Sequence, residues 1–282
     1  MRILVTGGYG CLGYHLIKHL VEENNDVGII DIVEDWNFDI ENKPKVEYLG
    51  NSQAIKTEFR KFKPHCVVHC AEHTQPDISL AENTTFTNIA MTTTIIHTCA
   101  SNGIACIVPA WEEITRIIMK DFWMKSVEWR AEIGSKFNLG NGVNCSVYLP
   151  RIISPYTNET EYGAVVNRVY NSIKYGGYCF IYNQELEYTA SWCSPENAIN
   201  EIMKKISTRS REDIIYRGNI VSANAIIGYI LDKMEVENIE TFDVKGKSNL
   251  LEKNSLLKDY SHALKGKAFF EIKKSIDEVI NG

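Results

Sequence analysis

The chain has 282 residues, 44% of them hydrophobic and 23% charged, enough for one large α/β domain or a core domain with a smaller lobe. A formal net charge of −6 argues against a surface built for nucleic acid or an anionic membrane. No run approaches the roughly 18 apolar residues of a membrane span, and the eight cysteines form no Cys-x-x-Cys pair, so a reducing, cytoplasmic setting is expected.

Residues 2–5 read as a short apolar strand, so no leader peptide is expected. It runs into a turn in which Gly7, Gly10 and Gly13 stand three apart. After Gly10, Leu12, Leu16, Ile17, Leu20 and Val21 fall on one helical face, with Lys18, Glu22 and Glu23 opposite. Val27–Ile30 is a second buried strand, and Asp31 stands at its carboxyl end. Strand, glycine turn, helix and an acid about twenty residues on predict a dinucleotide site: the turn brings bare backbone to a pyrophosphate, and the helix start offers amides and a positive dipole end. A carboxylate at Asp31 accepts both hydroxyls of an adenosine ribose and repels a 2′-phosphate, which favours NAD over NADP.

Val46–Leu49 reads as a third strand and residues 52–62 as a helix with Ile55, Phe59 and Phe62 inward. Next come a buried strand at Cys66–Cys70, a helix over 84–102 ended by Asn102 and Gly103, and a strand at Ile104–Val108. A long helical stretch over 111–137 precedes a sixth strand at Cys145–Leu149. His65, His69 and His73, with Cys66 and Cys70, are potential metal ligands, but strand alternation sends neighbours to opposite sheet faces and no zinc spacing is present. No metal is expected.

Beyond Pro155 the pattern loosens. Pro195 opens a helix with a stripe of Ala198, Ile199, Ile202, Met203 and Ile206, and Ile214–Tyr216 reads as a strand. Ser222 caps an apolar helix running to Met234, residues 247–267 read as polar loop, and 272–280 as a short amphipathic helix. Strands alternating with helices predict an α/β, doubly wound, Rossmann-like parallel sheet over residues 1–154 and a smaller interleaved C-terminal lobe over 155–282.

These elements, in this order, resemble the extended short-chain dehydrogenase/reductases, the NAD-dependent epimerase/dehydratase family acting largely on nucleotide sugars. Thr6–Gly13 is similar to the family's TGGxGxxG turn, Val67–Ala71 to its V-I-H-L-A strand, and Asn88 to an Asn of the next helix. Ser154-Pro155 resembles a Gly-Pro after the sixth strand, and Trp192–Ile199 a V-x-D-x-x-x-A-I entry into a C-terminal helix, without its acids. The resemblance implies a cofactor site at Gly7, Tyr9, Gly10, Cys11, Leu12, Gly13, Asp31, Asn51, Cys70, Ala71 and Lys125. It also implies a homodimer through helices 84–102 and 111–137, although the apolar side chains of the second equally suit core packing.

Catalysis in this family uses Tyr-x-x-x-Lys with a Ser or Thr after the fifth strand. Here that hydroxyl position reads Pro109-Ala110, the lysine aligns with Lys125, and Asp121 stands where tyrosine belongs. Asn51 replaces an adenine-binding Asp, and Glu187 a diphosphate-binding Arg that Arg151 is placed to offset. Glu72 and His73 leave the fourth strand on the ligand side and are alternative acids or bases. Two readings follow: a nucleotide-sugar epimerase, dehydratase or reductase with altered catalytic residues, or an inactive NAD-binding regulatory or partner subunit.

Overall fold

The computed structural model describes residues 1–32, 52–72, 81–111, 144–157, 165–176, 179–180, 189–242, 248–253, 256 and 267–281. They fall into two compact units, Met1–Leu149 with Glu196–Tyr216, and Pro150–Pro195 with Arg217–Gly282.

The first unit contains β1 (Arg2–Thr6), α1 (Cys11–Glu22), β2 (Asp26–Ile30), α2 (Ser52–Phe62), β3 (Cys66–His69), α3 (Ala81–Ser101), β4 (Ala105–Trp111) and β5 (Asn144–Leu149). Two further elements, α5 (Pro195–Thr208) and β9 (Ile214–Ile215), return to it. Its six strands are all parallel, in the order β2-β1-β3-β4-β5-β9. Parallel strands buried on both faces read as apolar runs, and burial of Ile3, Leu4, Val5, Val67 and Val68 bears this out. Leu4, Val67, Cys106 and Val108 pack with Ile55, Phe59, Ile95 and Ile96, so α2 and α3 cover one face. Cys66 and Ile107, pointing the other way, line a small cavity with Lys205 and Ile206 of α5. Helices on both faces of a parallel sheet make the fold doubly wound.

The second unit contains β6 (Arg151–Ile152), α4 (Val165–Tyr175), β7 (Cys179–Phe180), β8 (Thr189–Cys193), β10 (Asn219–Ser222), α6 (Ala223–Lys233), β11 (Asn238–Phe242), β12 (Ser248–Glu252) and α7 (Lys267–Asn281). Two three-stranded sheets, β10-β8-β6 and β12-β11-β7, accompany the three helices. Trp192, Val169, Ile226, Ile230, Phe269 and Ile276 form its core, and the Trp192 indole N–H donates to the Val221 carbonyl at 3.0 Å.

Several expectations change. Trp111, assigned to the start of a long helix, ends β4, because the ladder to β5 continues through Ala110 opposite Tyr148 and Trp111 opposite Leu149. Part of the supposed 247–267 loop is β12, paired antiparallel with β11. The last helix starts at Lys267 rather than Ile272. Val21 is 44% exposed, one position off the Leu16, Ile17 and Leu20 stripe in the last turn of α1. Residues 196–216, read from sequence as part of the C-terminal lobe, fall in the first unit, where the Tyr216 amide bonds the Tyr148 carbonyl at 2.9 Å. The strand expected at Val46–Leu49 and most of the stretch expected to be helical after Trp111 lie outside the described residues.

Candidate cofactor site

The chain leaves β1 for β2 on one side, then crosses to β3 on the other, so the carboxyl end of β1 is a topological switch point. The glycine turn sits there. Gly7 has φ +67°, a left-handed conformation, and a Cβ on it would lie 2.5 Å from the Ala71 amide nitrogen and Cα. Gly13 is closed just as tightly: its Cβ would stand 2.1 Å from the Gly7 carbonyl oxygen, so α1 can lie on the turn only without a side chain there. Gly10 differs, because among the described residues a Cβ there meets only that same oxygen, at 3.4 Å. Two glycines are thus demanded by the protein's own packing, and the third keeps open the space in front of the helix.

Gly10 is also the N-cap of α1 and offers no side-chain cap to the helix. The first turn of any helix has amides that intrahelical bonds do not reach. Held at a glycine-lined opening with the positive end of the dipole, amides of Cys11 and Leu12 suit an anion.

Asp31 follows β2 and is 9% exposed. Its Oδ2 accepts the Tyr9 amide at 2.9 Å and its Oδ1 the Ile32 amide at 2.7 Å. The carboxylate is therefore tied to the tip of the turn. Opposite, the Cys70 amide donates to the Thr6 carbonyl at 3.0 Å, and the Ala71 amide reaches the Thr6 hydroxyl at 3.4 Å. The structure thus brings Gly7, Tyr9, Gly10, Cys11, Leu12, Gly13, Asp31, Cys70 and Ala71 to one end of the sheet. This donor set fits a dinucleotide: bare backbone at a helix start for the phosphates, and a fixed carboxylate for a ribose.

Sequence reasoning missed the polar pillar under this site. Thr6 Oγ1 lies 2.6 Å from His69 Nδ1, and His69 Nε2 lies 3.1 Å from Thr92 Oγ1, all fully buried. With both ring nitrogens so occupied, His69 links β1, β3 and α3. Among the described residues no group of three or more His, Cys, Asp or Glu is placed to hold a metal.

Glu72 follows directly on Ala71 at intermediate exposure. Arg151 lies in the second unit, 4% exposed in β6, its guanidinium 5.4 Å from the centre of the Trp192 ring. The end of β4 presents Pro109, Ala110 and Trp111, with no hydroxyl. Asn51, His73, Asp121, Lys125 and Glu187 lie outside the described residues. Among the described residues no helix is long and apolar enough to cross a membrane.

Sheet, switch point and turn define a Rossmann fold. Residues 3–110 match the model of the NAD dependent epimerase/dehydratase family. The chain is 29% identical over 169 residues to a probable dTDP-glucose 4,6-dehydratase of Sinorhizobium fredii, a match covering 56% of this chain and 45% of that protein. It is 31% identical over 83 residues to methionine adenosyltransferase 2 subunit beta of Xenopus tropicalis, covering 27% and 22%. It thus spans less than half the length of the curated relatives it matches. Its fold is similar to DesIV, a dTDP-glucose 4,6-dehydratase from Streptomyces venezuelae solved with NAD bound, at TM-score 0.77 and 16% identity over 100% of this chain and 98% of that one.

Proposed function

We propose that the protein binds NAD, in preference to NADP, at the glycine turn, and acts as an epimerase, dehydratase or reductase on a nucleotide sugar with altered proton-transfer residues. The observation that carries this reading is the division of labour among the glycines: Gly7 and Gly13 closed by backbone, Gly10 open before a helix without a side-chain cap. The Asp31 carboxylate supports the choice of NAD, since a 2′-phosphate would face a buried negative charge already holding two amides. The relatives' names support the substrate class.

When bound, NAD supplies hydride exchange at its nicotinamide ring. The chain's own part is to seat the phosphates on the first turn of α1, to hold the adenosine ribose at Asp31 with Asn51 beyond it, and to shape the floor with Cys70 and Ala71. Lys125 is assigned to the other ribose. Moving the substrate proton falls to Asp121, Glu72 or His73, with Arg151 as the candidate phosphate partner on the substrate side. An aspartate of ordinary pKa (about 4) is deprotonated at neutral pH and enters such a step as a base. The seven free thiols among the described residues support a reducing, cytoplasmic setting. Pairing into a homodimer through α3 and the segment after β4 is part of the same reading.

A second reading is favoured by Ala110 at the end of β4 and by the absence of tyrosine from residues 112–143. In it the fold holds NAD as a regulatory or partner subunit, as one matched relative is itself named a subunit. Incubating the NAD-loaded protein with a panel of nucleotide sugars and following nicotinamide absorbance separates the two. Reduction of NAD establishes the enzyme; retained NAD binding with no hydride transfer across the panel establishes the subunit.

A further inference from the structure

We propose a second ligand site at the amino-terminal edge of the core sheet, the end opposite the glycine turn, for a small polyanion bearing two or more phosphoryl groups. An open groove of about 760 Å³ lies there, the volume of a small-molecule pocket. Its walls carry Arg2 at the start of β1, Lys56 and Arg60 of α2, and Lys63 and His65 on the turn into β3. No described residue lining it is a carboxylate. This concentration of positive charge stands on a chain of net charge −6.

The groove is held in place by Arg2. Its Nε donates to the Lys63 carbonyl at 2.7 Å, its amide donates to His65 Nδ1 at 3.1 Å, and its carbonyl accepts the His65 amide at 2.8 Å. Lys63 takes a left-handed φ of 52° at this point, and its amide closes back on Phe59 at 2.8 Å. The guanidinium is thus fixed by one of its five N–H groups. Asp26, opposite Arg2 in the β1–β2 ladder, makes no ion pair with it. Lys56, Arg60 and Lys63 form no ion pair with any described residue, whereas Lys61, on the same helix but outside the groove, is paired with Glu58 at 2.8 Å.

Basic residues are ordinary in the last turn of a helix, where the dipole supplies about half a negative charge. That accounts for Arg60 alone. Four cations converging from a strand, a helix and a turn exceed what the dipole requires, and a single carboxylate would leave most of the charge unmet. A forked guanidinium beside lysine ammoniums matches phosphoryl oxygens, and the concavity suits a small ligand better than a flat protein face.

Inorganic triphosphate is the probe. Titrated calorimetrically into the full chain at low salt, it is expected to bind saturably, and to bind roughly a hundredfold more weakly to a Lys56→Gln/Arg60→Gln variant, since each of the two lost charge-assisted bonds is worth about tenfold. Amide NMR on the wild-type chain gives a readout independent of the variant's folding: shifts are expected at Arg2, Lys63 and His65, and not at Gly7 to Gly13. No binding, equal binding by a folded variant, or shifts confined to the glycine turn would overturn the proposal. So would a penta-glutamate peptide binding as tightly as triphosphate.

Discussion

Gly10 and Gly13 are three residues apart and predict opposite behaviour. An alanine at Gly13 puts its Cβ against backbone atoms of Gly7 and Gly8, which have nowhere to go. Gly13→Ala is therefore expected to cost about 2–4 kcal/mol in a denaturant unfolding experiment. Gly10 has φ −74°, ordinary for alanine, and one neighbour at the edge of contact. Gly10→Ala should unfold within about 1 kcal/mol of wild type while weakening NAD binding, because the methyl group enters the ligand's space. His15, in the second turn of α1, offers a test by pH. Burial, aided by the Lys18 charge, pushes its pKa down to about 4. The unfolded chain takes up this proton near pH 6.5, so the stability it contributes is complete above that pH and is lost as pH falls toward 4. Comparing urea unfolding of wild type and His15→Gln at pH 7.5 and pH 5 should show the wild type losing more.

At the scale of elements, α6 was legible because its start signal is local. Ser222 accepts the Ala225 amide at 3.2 Å, as an N-cap does, and Ser222→Ala is expected to cost about 1 kcal/mol in thermal or urea unfolding. The glycine turn and α1 were legible for the same reason: spacing within a dozen residues carries the information. What was not legible depends on partners distant in sequence. Trp111 joins β4 because Leu149 lies opposite, a fact that the helical spacing of the apolar residues after it conceals. β12 has no clean alternation, and Leu250 is 58% exposed, so an edge strand of a small sheet looks like polar loop. The Thr6–His69–Thr92 pillar joins three elements through contacts 63 and 23 residues apart in sequence. Thr6, directly before the turn, was its one visible sign.

For the whole molecule, the proposed cofactor half of the site comes from one continuous stretch, β1 to Asp31, closed by the end of β3. Residues 3–110 match the family model, while fold likeness extends over the chain. The proposed substrate half draws on positions spread through the sequence, where the resemblance sets Ala110 against a hydroxyl residue, Asp121 against tyrosine and Glu187 against arginine. A ligand that binds the folded chain alone raises its stability, by about 2.7 kcal/mol at a hundredfold excess over Kd. Calorimetric titration of NAD into wild type and Gly10→Ala, with thermal unfolding of both, tests the central claim most directly. The account predicts saturable binding and a raised Tm for wild type, with both diminished in a Gly10→Ala protein that folds normally. Absence of any saturable binding of NAD by the folded wild type, or binding unchanged by Gly10→Ala, would contradict it.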